Sequence, residues 1–217
     1  MKSEESRRIV IITFIISLLF VIAQALTGIE LLSFKGIKAA FSATGVLSAW
    51  WWFYFNYGWK IKHLNLILYR QNINGTWFGN YESKDIQTGK IYKGEISLVI
   101  KQNYLTIKIT SITERFKNYS YSEELICKDE KKQVIYVYSQ DELSSTDHNT
   151  RKGTSELELT TSDDKSMLYG KFWTNNGTVG SLTFTKISDV HIVFFDNAKK
   201  LYEESNAKII LKERGAI

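Results

Sequence analysis

A set of tyrosines carries the chemistry most worth following. Tyr81, Tyr92, Tyr119, Tyr121 and Tyr136 or Tyr138 lie near the ends of short stretches in which apolar and polar residues alternate, together with Ser111 and Thr174. The alternation turns them inward at one common rim. A mouth ringed by phenols and small hydroxyls offers flat faces for stacking and polar tips for base edges. Arg115, His148 and Arg151 lie in the turns beside that rim and would add charge for phosphates. Tyr81, Tyr92, Tyr121, Tyr138, Arg151 and Thr174 are the ligand-binding candidates. The plainer reading is that tyrosines favour strands and simply pack a small core.

Catalytic signatures are scarce. His63, His148 and His191 are far apart, and none sits at metal-ligand spacing. No P-loop, G-x-S-x-G or H-E-x-x-H occurs. Glu123-Glu124 and Asp163-Asp164 read as solvated charges. The sequence therefore implies no enzyme, no cofactor and no catalytic or metal site. A single cysteine, Cys127, excludes an internal disulfide framework. The net charge of +5 is spread along the chain, so no basic stripe points to duplex nucleic acid.

The elements that would hold such a rim follow from the alternation. Strands are predicted near 75–83, 90–102, 104–113, 116–128, 132–139, 153–161, 166–175 and 178–187. No helical segment between them is long enough for parallel crossovers. An all-β antiparallel barrel of about eight strands, residues 74–188, is the expected domain; an open sandwich is the rival. Gly75-x-Trp77 suggests a tryptophan closing one end. Residues 189–217 change to helical period and predict a C-terminal helix.

Two runs without charge, 9–29 and 39–59, precede a connector at 60–73. Each would reach about 31 Å as a helix, so a two-helix transmembrane hairpin is expected. The basic residues flanking the runs place both termini and the barrel in the cytoplasm, on a multi-pass inner-membrane protein. Gly36, Ala40, Thr44 and Ser48 recur every four residues, a spacing suited to close helix packing within the chain or between protomers. The aromatic run from Trp50 to Trp59 reads as an interfacial belt.

Three stretches carry a resemblance: Asn74-Gly75-Thr76-Trp77 with Gly79 and Tyr81; Gly153-Thr154-Ser155-Glu156-Leu157; and Leu168 to Gly180, which holds Gly170-Lys171-Phe172-Trp173-Thr174. With the order of parts, they resemble the SMODS-associated CBASS membrane effectors, which have two transmembrane helices and a β-strand-rich domain. The resemblance implies that the barrel binds a cyclic oligonucleotide second messenger, with a cyclic dinucleotide as the expected form, made by a partner nucleotidyltransferase during phage infection. It further implies that protomers then assemble into a homo-oligomer, engage membrane lipid and disrupt the inner membrane, killing the infected cell. It adds Asn175, Asn176 and Thr178 to Thr174 as rim candidates. The family often has a basic residue where this chain has Asn176. The rival functions are a membrane-anchored, lipocalin-like barrel holding a lipid or other apolar ligand, and an assembly protein with a filled core.

Overall fold

A computed structural model describes residues 3–26, 34–64, 68–128, 131–142, 151–162 and 165–213. His148 and Asp163-Asp164 lie outside these residues. The chain forms two compact units. The first comprises Met1–Arg70 with Asn103–Leu105, and the second Gln71–Gln102 with Thr106–Ile217.

The second unit is a closed barrel. Strands β1 (Gly75–Asp85), β2 (Ile91–Gln102), β3 (Ile107–Ile112), β4 (Phe116–Lys128), β5 (Lys131–Glu142), β6 (Arg151–Ser162), β7 (Lys165–Thr174) and β8 (Thr178–Ser188) follow one another around the wall. Every neighbouring pair is antiparallel, and β1 pairs with β8 to close it. The meander expected from the sequence is the one found. Trp77, Leu98, Ile100, Ile109, Leu157, Leu168 and Phe184 alternate into the lumen and fill one end. Trp77 is fully buried, and its Nε1 donates to the Ile73 carbonyl at 3.0 Å. That satisfied indole stoppers the filled end, as Gly75-x-Trp77 suggests.

The wall is uneven. β3 is the shortest strand because the chain turns back at Thr113: its N–H donates to the Phe116 carbonyl, and its Oγ1 accepts from the Phe116 N–H at 3.0 Å. β2 pairs with β3 only over Ser97–Gln102, whereas it pairs with β1 up to Ile91. A bulge interrupts the β4–β5 ladder between Ser120 and Ser122. Ser120 Oγ there accepts the Ile109 N–H at 2.8 Å, a side chain standing in for the β3–β4 ladder.

The helix α3 (Phe195–Glu213) docks outside the barrel. Phe195 and Ala198 pack on Phe78, Val99 and Ile112, which project outward from β1, β2 and β3. The Phe78 and Phe195 ring centroids are 5.7 Å apart.

The first unit holds α1 (Ser3–Leu26), α2 (Phe34–Asn56) and a 3-10 turn, Gly58–Lys60. Trp51 Nε1 donates to Thr13 Oγ1 at 3.0 Å. The transmembrane hairpin expected over 9–29 and 39–59 is overturned: among the described residues, no helix is long and apolar enough to cross a membrane. The expectation rests on absence of charge, which is weaker than apolarity. α1 takes Arg7 and Arg8 into the helix, and α2 contains Thr44, Ser48 and Asn56 and stops at Asn56, short of the expected limit. The aromatic belt is likewise corrected in part. Tyr54 and Trp59 are fully buried with Leu68 and Tyr104 in the core of this unit, and Trp52 and Tyr57 are exposed.

Candidate functional site

The end of the barrel opposite Trp77 is open. A cavity of about 620 Å³ occupies it, within the range of about 300–1,000 Å³ typical of small-molecule sites. The upper lumen stays empty because its inward positions alternate large rings with glycines and serines. Three inward rings each lie over a glycine on the neighbouring strand: Tyr81 over Gly94, Tyr138 over Gly153 and Phe172 over Gly180. A Cβ at those glycines would come within 2.8, 2.4 and 2.5 Å of the ring atoms. The glycines let the rings settle against the wall and leave the centre of the lumen free.

Polar groups are set between the rings. Ser111 and Ser155 are buried in the cavity wall. Tyr136 is buried, its hydroxyl is bonded to Ser155, and burial holds its ionisation well above the ordinary phenol range. Burial pushes Tyr138 up to about 12, with Arg151 nearby pulling the other way. Both phenols are therefore neutral hydrogen-bonding groups at physiological pH. Asn118 donates through Nδ2 to Ser111 Oγ at 2.9 Å, while its enclosed Oδ1 has no partner. At the mouth Asp85 caps the β1–β2 turn, accepting from the Gln87 and Thr88 N–H groups at 2.9 Å. The Thr88 bonds, chiefly, hold its carboxyl below the usual range, and Arg151 contributes.

Of the residues proposed from the sequence, Tyr81, Tyr92, Tyr138, Arg151, Thr174 and Thr178 line this one cavity. Tyr92 stands half-exposed at the mouth, with Lys90 Nζ 5.2 Å from its ring centroid. Thr174 Oγ1 accepts the Thr178 N–H at 3.2 Å, which tightens the β7–β8 turn. Asn175 and Asn176 are exposed and do not line the cavity. Asn175 instead ties β6 to β7: its Oδ1 accepts from, and its N–H donates to, the Lys152 backbone, both at 2.9 Å. Tyr121 lies outside the wall, exposed, at the residue the bulge leaves unpaired. Tyr119 also faces out, with Lys117 Nζ 5.4 Å from its ring centroid. The Ser111–Asn118 register makes Asn118 the inward residue and turns Tyr119 away.

Sequence reasoning misses Asn118, Ser155, Gln140 and Phe195 as lining residues and, though it turns Phe172 inward, does not count it at the site. For Phe172 the signal is present: it shares a face with Leu168 and Gly170, and Gly180 sits across from it. For Asn118 the signal is the cross-strand register, which the sequence alone does not display.

A family model described as Cap15, cyclic dinucleotide receptor domain, matches residues 70–186. No curated protein sequence matches the chain.

Proposed function

The chain belongs to the Cap15 cyclic dinucleotide receptor family, and from that premise we propose that its barrel is the sensor of an antiphage CBASS effector, binding a cyclic dinucleotide in the open half of the lumen. One observation carries the reading: a cavity of about 620 Å³ whose wall alternates aromatic rings with hydroxyls and an amide. Rings supply stacking faces that accept any base, while hydroxyls and amides reach base edges. Arg151 and Arg115 at the mouth supply positive charge for phosphodiesters. The polar groups in this lining disfavour a lipid or other wholly apolar guest.

The role is recognition rather than catalysis. The downstream step on the same reading is assembly of protomers and damage to the bacterial inner membrane, with the barrel on the cytoplasmic side. It is supported by the resemblance and by the large apolar side chains that α1 leaves exposed, among them Val10, Phe14, Leu18 and Leu19. Ligand can drive that step only if it binds the assembled and unassembled states with different affinity.

The test is calorimetric titration of the full chain with a panel of cyclic dinucleotides and trinucleotides. Saturable binding of at least one, lost on Tyr138→Ala, supports the proposal. No heat and no thermal shift across the panel removes it. Dye release from anionic vesicles with and without the binding nucleotide tests the downstream step separately.

A further inference from the structure

Building on that reading of the barrel end, we propose that the nucleotide site extends beyond the barrel: Phe195 of α3 forms part of it, as a stacking wall for one base, and the ion pair between Lys199 and Glu95 holds it there.

The wall has a gap that places α3 in contact with the cavity. From Ile91 to Ile96, β2 has β1 on one side and no β3 on the other, because β3 ends at Ile112. The cavity reaches through this gap. Gly94 and Glu95 line it from β2, Thr113 and Glu114 from the β3–β4 turn, and Phe195 from α3. Phe195 is 7% exposed; its ring packs on that of Phe78, and the residue borders the cavity.

Lys199 lies one turn after Phe195, on the same face of α3. Its Nζ is 2.7 Å from Glu95 Oε2, and each side chain is only about a third exposed. Glu95 thus lines the cavity and fastens the helix at once. The charged groups facing the gap are Glu95, Glu114, Lys93 and Arg115, and Lys93 is held by Glu82 at 2.7 Å. An aromatic ring flanked by carboxylates suits a base carrying N–H donors better than a phosphodiester. The matched receptor domain ends at residue 186, before α3 begins.

The experiment uses the full chain and compares its affinity for purine-containing and all-pyrimidine cyclic dinucleotides. Phe195→Leu is expected to weaken the best ligand on the order of tenfold and to change the ratio between the two classes. Phe78→Leu loosens the same packing without lining the cavity, and is expected to leave that ratio unchanged. Glu95→Lys is expected to weaken binding, and adding Lys199→Glu to recover part of it. Unchanged ratios in Phe195→Leu, or equal effects in Phe195→Leu and Phe78→Leu, overturn the inference while leaving the barrel site intact. If Phe195→Leu fails to fold, the charge-reversed pair decides: no recovery overturns it. A wild-type chain that binds none of the panel removes the site reading itself, and this inference with it.

Discussion

The ring of Tyr138 lies over Gly153, its direct cross-strand partner, so close that a Cβ on residue 153 would come within 2.4 Å of the phenol. Glycine ordinarily weakens a strand by about 0.5–1 kcal/mol against alanine. Here the order reverses. Gly153→Ala is expected to lower stability by about 1–3 kcal/mol through overpacking and to push the ring into the cavity, weakening cyclic dinucleotide on the order of tenfold. Adding Tyr138→Leu should recover the stability but not the affinity. Thermal unfolding and calorimetry on both variants read the two effects.

Asn118 gives an effect of opposite sign on stability. Its amide is half satisfied, with Nδ2 bonded to Ser111 and Oδ1 enclosed and unpartnered. An enclosed acceptor without a donor costs about 1–3 kcal/mol. Asn118→Ala removes that cost along with one hydrogen bond, so the unfolding midpoint is expected to stay level or rise. If the amide turns to meet the guest, affinity falls on the order of tenfold in the same variant. A variant that loses stability while keeping affinity would mark Asn118 as a wall residue only.

How far the sequence reveals this arrangement depends on the scale considered. Each strand shows itself through two-residue alternation, because one side of the wall meets the lumen: Ile96, Leu98 and Ile100 against Glu95, Ser97 and Lys101. The rim is legible for the same reason. The errors fall where pairing overrides alternation. Tyr121 sits at a bulge, and Tyr119 is turned outward by the Ser111–Asn118 register; neither is encoded in the residue's own neighbours. The gap beside β2 depends on where Thr113 and Phe116 turn the chain, so Phe195 reads as a core residue of a helix and not as a cavity wall. The charge-free runs at the start of the chain show how a simple count of uncharged residues overstates apolarity.

Arg151 and Asp85 oppose each other at the mouth. Both line the cavity, and Arg151 helps keep the Asp85 carboxylate ionised. An anionic guest meets attraction from one and repulsion from the other. Arg151→Gln is expected to weaken cyclic dinucleotide on the order of tenfold, with a shallower dependence on salt. Asp85→Asn is expected to strengthen binding. It should also loosen the β1–β2 turn, since a neutral amide accepts less strongly from the Gln87 and Thr88 N–H groups. Titrations at low and high salt on the two variants check the pair of signs.

The buried phenols make alkaline pH a probe of the same site. Tyr138 ionises near 12 in the fold and near 10 in an unfolded chain. A raised acid constant means that the fold favours the neutral form. Its contribution to stability is therefore fully present below about pH 10 and is lost as pH rises from there through about 12. Tyr136 shifts in the same direction, burial again being the main cause. The wild-type chain is expected to lose stability steeply above about pH 10, and Tyr138→Phe to lose it less steeply while keeping the ring that rests on Gly153. Below that range neither phenol titrates, so nucleotide affinity should show no step from Tyr136 or Tyr138 between neutral pH and about pH 9. Ultraviolet titration of tyrosinate alongside thermal unfolding tests both; an early tyrosinate signal lost in Tyr138→Phe would mean that this hydroxyl meets water freely and that the wall around it is open.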